Sequence, residues 1–287
     1  MKTGGTPGEG NKSGRRSVIQ TAIPRVYLEM FEGHSAAFVR ANTELAAPPL
    51  VPEIDLHLAT EVVPLWRKTE EELKAEGVPP PYWAFAWPGG QALARYVLDH
   101  RDTVAARSVL DFGTGSGLVA IAAVKSGARM VVAADTDGFA AAAIGLNCWA
   151  NGISCMRRKP AAEANGFGRR GEKFEIVTED IIGRPCNWDV ILVGDMCYER
   201  PLAERLLEWL GDCARHGATV LLGDPGRTYF PENGAVRLAT YRVQTTRELE
   251  DREIRETSVY RYMPPRDAAK HTAEHHGAHG QSAVSPR

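Results

Sequence analysis

The sequence predicts an α/β protein with a mostly parallel sheet and helices packed on both of its faces. Three observations support this prediction. Short apolar strands alternate with helical patterns between residues 81 and 263, a spacing typical of strand–helix–strand units. The strands are continuously apolar, as expected when both faces of a parallel sheet are buried. A glycine-rich turn joins the first of these strands to a helix.

The first half of this block holds two strand–helix pairs. A helix rich in small residues follows the first strand and its glycines, and it ends at Gly127. The second strand runs into Asp135, and Asn151-Gly152 ends the helix after it, because these residue types favour the left-handed turn that closes helices. The predicted elements are strand 108–112, helix 118–125, strand 130–134 and helix 139–149.

Five strands and a long amphipathic helix complete the main domain, residues 81–263. Pro201 suits the first turn of the helix, and Gly217 follows its end. The last two strands flank a charged connection at 247–256, and we expect a terminal antiparallel strand. The predicted fold class is therefore a Rossmann-like, doubly wound, seven-stranded sheet. Its remaining elements are strands 174–177, 189–193, 218–222, 241–246 and 258–262 and helix 201–216.

The sequence changes character outside the main domain. Residues 1–20 are rich in Gly, Ser, Lys and Arg, which predicts a disordered leader. Residues 21–80 combine a helical pattern at 27–45 with a stretch at 54–65 that suits an extended segment or a short strand. We interpret this region as an N-terminal accessory cap that packs on the main domain. Residues 264–287 predict a disordered tail, whose histidines have no rigid element to orient them as metal ligands.

The composition of the 287 residues limits the classes of protein that fit. No apolar run reaches the ~18–20 residues needed to span a bilayer. A net charge of −2 argues against nucleic acid held by bulk electrostatics, although a local basic patch escapes this test. The five cysteines form no Cys-x-x-Cys pair, so we expect no disulfide framework, no zinc site and a cytoplasmic location. Arg15 and Arg16, near Ser13 and Ser17, leave a mitochondrial presequence open.

The strongest local signal is the turn after the first strand, Asp111-Phe112-Gly113-Thr114-Gly115-Ser116-Gly117. Glycine lets the backbone approach a ligand closely, and a strand end beside a helix N-terminus is a common place for a cofactor. The dinucleotide fingerprint Gly-x-Gly-x-x-Gly does not fit, because Leu118 occupies its last position. Asp111 suits a cationic ligand group better than a pyrophosphate. The alternative is a tight turn that needs glycine only for its dihedral angles.

Two further acidic residues follow neighbouring strands. Asp135 ends the second strand, where a carboxylate can accept hydrogen bonds from both hydroxyls of a ribose. It could instead cap the next helix, a role that Thr136 or Asp137 can also fill. Asp180 follows the third strand. It can accept a hydrogen bond from an exocyclic adenine amine, or it is an exposed loop acid.

Residues suited to binding an amine follow the fourth strand. Asp195 can accept an N–H, and Tyr198 can cover one side of the amine; the alternative is a strand end with a buried tyrosine. A carboxylate raises the pKa of a neighbouring ammonium and so does not help an amine to lose its proton. We therefore expect Asp195 to orient the amine and to balance its charge. Glu199 can pass a proton to water, or it is an exposed acid at a helix N-terminus.

The Asp-x-Gly-x-Gly-x-Gly turn resembles that of the class I, seven-β-strand S-adenosylmethionine-dependent methyltransferases, over roughly residues 85–262. The resemblance implies S-adenosyl-L-methionine as cofactor, with its methionine moiety near Asp111 and Gly113, its ribose on Asp135 and its adenine near Asp180. Trp87 would form a flat apolar wall for the cofactor or the acceptor, or it packs in the core. The other residues that we assign to cofactor binding are Thr114, Gly115, Gly117, Thr136 and Asp195.

Three segments resemble the methyltransferases that modify lysines of the electron transfer flavoprotein β subunit: 81–93, 195–199 and 223–227. The resemblance implies a protein-lysine N-methyltransferase with Asp195, Tyr198 and Glu199 as catalytic residues. Cys197 stands where an aromatic residue is usual. The Asn-Pro-Pro-Tyr motif of nucleobase and glutamine methylators is absent, which argues against nucleic acid as the substrate.

The implied partner is a protein, with no direct nucleic acid and no membrane. Similar bacterial sequences are linked to ribosomal-protein lysines, so ribosomal proteins of the L7/L12 or L11 type are an alternative substrate, and a small molecule is another. A nicotinamide-dependent oxidoreductase would need the Gly-x-Gly-x-x-Gly fingerprint. A module that binds the cofactor without catalysis also stays open.

Overall fold

The structure is a computed structural model that describes residues 33–60, 80–158, 173–231, 233–245 and 247–264. The predicted leader and nearly all of the predicted tail lie outside the described residues. No helix within these ranges combines the length and the apolar character needed to cross a bilayer.

Within the described residues, ten strands form a small hairpin and a large central sheet. β1 and β2 pair as the antiparallel hairpin. The central sheet has the order β5-β6-β4-β3-β7-β8-β10-β9, and β10 runs antiparallel to both of its neighbours. The strands are β1 (Glu44–Ala46), β2 (Leu56–Leu58), β3 (Ser108–Phe112), β4 (Met130–Ala134), β5 (Met156–Arg157), β6 (Phe174–Val177), β7 (Val190–Gly194), β8 (Thr219–Asp224), β9 (Ala235–Gln244) and β10 (Ile254–Tyr262).

Helices cover both faces of this sheet, which explains why its central strands are continuously apolar. α2, α3 and α4 bury apolar side chains against one face, and α5 does so against the other. Every residue of β3 is buried as a result. The helices are α1 (His34–Ala41), α2 (Pro88–Asp99), α3 (Leu118–Lys125), α4 (Gly138–Ala150), α5 (Arg200–Arg215) and α6 (Arg247–Glu250), with 3₁₀ turns at Tyr82–Ala84 and Arg101–Thr103.

All seven predicted strands of the main domain are present, and the predicted fold class is confirmed. The largest difference in length is β9, which begins at Ala235, six residues before the predicted start. β9 is an edge strand that is largely exposed, so its polar residues hide it from a search for continuous apolar runs. Three elements were not predicted: the short strand β5, which has two residues, and the helices α2 and α6. In α2, Gly89 and Gly90 weaken the helical signal.

The described part of the N-terminal region packs against α4. The predicted helix at 27–45 is wrong at its end, because β1 follows α1 and pairs with β2. Asn147 of α4 is fully buried: its Oδ1 accepts from the backbone N–H of His57 at 2.7 Å, and its Nδ2 donates to the carbonyl of Ser116 at 2.8 Å. One amide thus joins the hairpin to the glycine turn.

Candidate active site

A cavity of about 640 Å³ opens at the carboxyl ends of β3, β4, β6 and β7. This edge is where sheets of this kind usually bind ligands, and the volume is typical of a small-molecule site. The structure brings eight of the predicted site residues together in the wall: Trp87, Gly113, Gly115, Asp135, Thr136, Asp180, Asp195 and Tyr198. Four others are not part of the wall: Asp111, Thr114, Gly117 and Glu199.

The glycine turn needs glycine for conformation and, at one position, for space. Gly113, Gly115 and Gly117 have φ angles of +63°, +52° and +80°, in the left-handed region that side chains disfavour. A Cβ on Gly113 would also lie 2.3 Å from Sδ of Met196, whereas one on Gly115 would have 3.8 Å of clearance. The turn therefore brings bare backbone to the cavity at Gly113 and Gly115.

Asp111 shapes this turn from inside. Its Oδ2 accepts from Oγ1 of Thr114 at 2.5 Å and from the backbone N–H of Ala120 at 2.9 Å. Burial raises the pKa of the carboxyl to about 7, against the lowering effect of these bonds. The carboxylate thus holds the turn against the start of α3, and its predicted contact with a cationic ligand stays a prediction.

Asp135 reaches the cavity from the end of β4. Its Oδ2 accepts from the backbone N–H of Gly115 at 2.9 Å, and its Oδ1 accepts from that of Asp137 at 3.0 Å. Burial raises the pKa of Asp135, and these N–H groups oppose the rise. The alternative role as helix cap is wrong, because Asp137 caps α4 by accepting from the N–H of Phe139 at 2.8 Å.

Asp180 lies in the cavity wall and is half-exposed. Its Oδ2 pairs with Nη2 of Arg205 at 2.8 Å, and its Oδ1 accepts from the N–H of Ile182 at 3.0 Å. The hydrogen bond from Arg205 is the main reason why the pKa of Asp180 is lowered. Asp180 is therefore an ionised, partly exposed acid in the cavity wall.

Asp195 is held by protein donors on both of its oxygens. Oδ2 accepts from the backbone N–H groups of Gly89 and Gly90, and Oδ1 accepts from Nε and Nη2 of Arg227 at 3.0 and 2.7 Å. A carboxylate offers about four acceptor positions, so these four donors use all of them. The predicted contact with an amine N–H therefore requires one of these donors to move away.

Asp195, Arg227 and Glu250 form a buried charge cluster that the sequence does not predict. Arg227 also binds Glu250 of α6, whose side chain is 2% exposed. Burial raises the pKa of Asp195 to about 6, and the charge of Arg227 opposes that rise. Neither the resemblance of the segment 223–227 nor the charged character of the connection at 247–256 predicts a contact with Asp195.

Aromatic rings line the mouth of the cavity. The ring centroids of Tyr82 and Tyr198 are 5.8 Å apart, and those of Tyr82 and Trp87 are 6.0 Å apart. Tyr82 and Tyr198 are 49% and 42% exposed, so the alternative of a buried tyrosine at 198 is wrong. Trp87 is half-buried in the wall and donates from Nε1 to the carbonyl of Tyr82 at 2.8 Å.

Two residues beside Tyr198 lie off the cavity. Glu199 is exposed and is the N-cap residue of α5, although its side chain makes no capping bond. It is therefore placed as an exposed acid at a helix N-terminus, which was the alternative to a role in proton transfer. Cys197 is buried, and burial raises the pKa of its thiol to about 12. The thiol is therefore protonated at neutral pH and unsuited to act as a nucleophile.

Residues 91–187 match the family Ribosomal protein L11 methyltransferase (PrmA). This range contains the glycine turn, Asp135 and Asp180, and so the side of the cavity that is predicted to bind the cofactor, here called the cofactor side. A curated ribosomal protein L11 methyltransferase of Geobacter sulfurreducens is 37% identical over 106 residues, which cover 37% of this chain and 27% of that protein. Fold, cavity and family match together define a class I methyltransferase.

The similarity to one group of methyltransferases extends much further. The electron transfer flavoprotein beta subunit lysine methyltransferase of Danio rerio is 39% identical over 232 residues, covering 78% of this chain and 82% of that protein. That of Xenopus laevis is 38% identical over 259 residues, covering 87% and 97%. The chain belongs to the electron transfer flavoprotein beta subunit lysine methyltransferase family.

Proposed function

We propose that this chain transfers methyl groups from S-adenosyl-L-methionine to lysine side chains of the electron transfer flavoprotein β subunit. The observation that carries the proposal is the 38% identity to the Xenopus laevis relative over 87% of this chain. A continuous span of that length includes the cofactor side of the cavity as well as Asp195 and Arg227. The substrate in the relative's name is therefore a better guide than that of the ribosomal protein family, which matches only residues 91–187.

The cavity fits S-adenosyl-L-methionine, which supplies a methyl group bound to a positively charged sulfur. Gly113 and Gly115 offer backbone without side chains, and the carboxylate of Asp135 is directed to the cavity at a strand end, where it suits ribose hydroxyls. In this proposal Asp180 accepts from the adenine amine and Trp87 forms an apolar wall, and both residues line the cavity. Thr136 follows Asp135 in the same wall.

The charges around the cavity also favour a cationic ligand. Five acidic side chains lie in its wall, together with two arginines. Arg205 is paired with Asp180, and Arg227 with Asp195 and Glu250. The wall thus holds more negative than positive charge, which suits a sulfonium and an incoming amine.

The acceptor side must present a neutral amine. A lysine with an ordinary pKa of ~10.4 needs about 4–5 kcal/mol to lose its proton at pH 7, at about 1.36 kcal/mol per pKa unit. A bare carboxylate next to the amine would increase this cost, but Asp195 has its charge balanced by Arg227. Apolar rings and the positive cofactor both favour the neutral amine. Tyr82 and Tyr198 are exposed, so a lysine on a large protein can reach them.

The test is a transfer assay with methyl-labelled S-adenosyl-L-methionine and the purified chain. Separate reactions contain the electron transfer flavoprotein β subunit, ribosomal proteins L11 and L7/L12, and free lysine. We expect label on lysines of the β subunit, located by mass spectrometry of its peptides. Label on a ribosomal protein alone, or on free lysine alone, would assign the substrate to another class, and no label in any reaction would refute methyl transfer to lysine.

A further inference from the structure

The backbone at Asp195 adopts a conformation that needs outside support. Its φ is +58°, in the left-handed region, which costs a non-glycine residue on the order of 1 kcal/mol or more. Its N–H donates to the carbonyl of Gly223 at 2.9 Å, and its carboxylate accepts the four bonds described above. This conformation sets the direction in which Met196 and Tyr198 leave β7 and enter the cavity wall.

Arg227 is the side chain that ties this strained residue to the rest of the site. Its guanidinium binds Oδ1 of Asp195 with two nitrogens, binds Glu250 as well, and lies 5.8 Å from the centre of the Trp87 ring. The fork geometry is specific to arginine, because a lysine ammonium cannot make the same bidentate contact. A single planar group thus contacts the residue after β7, the helix after β9 and the aromatic wall.

Resting on the proposed function, we propose that Arg227 is a positioning residue for methyl transfer, with Glu250 as its anchor. Arg227 holds Asp195 in its left-handed conformation and so aims the segment 196–198 at the acceptor. It does not need to touch the lysine or the cofactor for this role. The connection between β9 and β10 supplies Glu250 and so contributes to the position of the acceptor segment.

The charges that face Asp195 give this role a distinctive pH signature. Arg227, from the loop after β8, lowers the pKa of Asp195; Asp224 at the end of β8 and Glu250 of α6 raise it, and burial raises it most. Arg255 of β10 faces the same cluster, with its Nε 3.5 Å from Glu250. Loss of the cation at 227 therefore moves the pKa of Asp195 upward, and loss of the carboxylate at 250 moves it downward.

The experiment compares Arg227→Lys, Arg227→Ala and Glu250→Gln with the wild type, on the protein that the wild type labels. Arg227→Ala removes both nitrogens that hold Oδ1 of Asp195, so the segment that faces the acceptor loses its support, and we expect kcat to fall by about 100-fold or more. Arg227→Lys should restore only part of this loss, and Glu250→Gln should lower kcat by roughly 10-fold. The Kd of the cofactor, measured by calorimetry, should change by less than about 3-fold, since Arg227 positions the acceptor side.

The decisive measurement is the acidic limb of kcat against pH. We expect it to move to higher pH in Arg227→Ala and to lower pH in Glu250→Gln, whereas a purely structural defect would lower kcat without moving the limb. Arg129→Ala is the matched control. Arg129 and Asp189 form an exposed ion pair, with Nη2 and Oδ2 3.6 Å apart, at the amino ends of β4 and β7 and so away from the cavity. An unmoved limb in both variants, or kcat values that follow only the folded fraction, overturns this inference alone. Should the wild type label no protein, the proposed function fails and takes the inference with it.

Discussion

The two sides of the cavity are built in different ways. On the cofactor side, Asp111 is held by Thr114 and Ala120, three and nine residues along the chain. On the acceptor side, Asp195 is held by Gly89, 106 residues away, and by Arg227, 32 residues away. The contacts of Asp111 on the cofactor side thus lie within one strand–turn–helix unit, whereas those of Asp195 on the acceptor side require segments that are distant along the chain to meet.

The same difference appears in the electrostatics. Burial raises the pKa of Asp111 to about 7, with two neutral donors opposing the rise. Burial also raises the pKa of Asp195, to about 6, and here it is the cation of Arg227 that opposes the rise. A local turn can hold a carboxyl with hydroxyl and amide groups alone. A site assembled from distant segments uses a charged partner, which makes it more sensitive to single substitutions.

The largest effect is expected at Asp195. Asp195→Ala removes the acceptor for four donors and leaves Arg227 buried with Glu250 alone, so we expect methyl transfer to fall by about 100-fold or more. Asp195→Asn keeps one oxygen and a side chain that tolerates positive φ, so it should fold normally and lose less activity. Rates are measured with labelled cofactor, and cofactor binding by calorimetry. Wild-type activity in Asp195→Ala would contradict our placement of the acceptor.

The next largest effect is expected for cofactor binding at Asp135. Asp135→Asn replaces a charged acceptor by a neutral amide, which should weaken binding of S-adenosyl-L-methionine by about 10–100-fold, since hydrogen bonds to charged groups contribute about 1.5–3 kcal/mol. Asp212→Asn is the matched control, because Asp212 is an exposed acid of α5 that lies outside the cavity wall. Isothermal titration calorimetry gives both Kd values. Equal Kd values for wild type and Asp135→Asn would remove Asp135 from the site.

Two glycine substitutions separate the effect of backbone strain from the effect of a contact between the cofactor side and the acceptor side of the cavity. Gly113→Ala combines strain at φ +63° with a Cβ that meets Sδ of Met196, whereas Gly115→Ala adds strain alone. We expect about 1–2 kcal/mol of destabilisation for Gly115→Ala and a larger loss for Gly113→Ala. Urea unfolding of the cofactor-free protein measures the difference. If the two variants are equally stable, Met196 simply moves aside and the two sides are not coupled through it.

The last effect concerns pH and the stability of the local turn, rather than binding or methyl transfer. The folded pKa of Asp111, about 7, lies above the ordinary value of 3.8, so its ionisation opposes folding. The folded state is therefore favoured below pH 4 relative to pH 8, and this stability is lost as pH rises towards 7. Asp111→Asn keeps the acceptor for Thr114 and Ala120 and should remove this trend, which a rise from 3.8 to about 7 makes about 4 kcal/mol at about 1.36 kcal/mol per pKa unit. Thermal unfolding from pH 4 to 8 checks it, and a wild-type trend in the variant would contradict it.

Most of the fold and half of the site were accessible from the sequence. Continuous apolar runs identified the buried strands, and the turn from Asp111 to Gly117 identified the carboxyl edge where the cavity lies. These signals are local, because each is set by a strand and the residues that follow it. The exposed β9 lacks such a signal, since an edge strand with a solvated face mixes polar and apolar residues.

The buried charge cluster was not accessible for a different reason. Nothing in the spacing of Arg227 and Glu250 shows that both side chains turn to Asp195, because their contact depends on β8 and β10 lying side by side. Asp195 itself was found from its position after β7, but its four donors were not. Sequence identified the acid, and only the assembled sheet revealed its partners.

The buried amide of Asn147 links the N-terminal hairpin to the glycine turn at the cavity. A chain shortened to begin at residue 60 would leave Oδ1 of Asn147 without the N–H of His57 and would bare the apolar side of α4 beneath the hairpin. The other end of the same amide supports the carbonyl of Ser116 in the glycine turn. Trimming this segment to obtain a minimal enzyme would therefore loosen the turn as well as promote aggregation, and residues 33–60 belong in any engineered version.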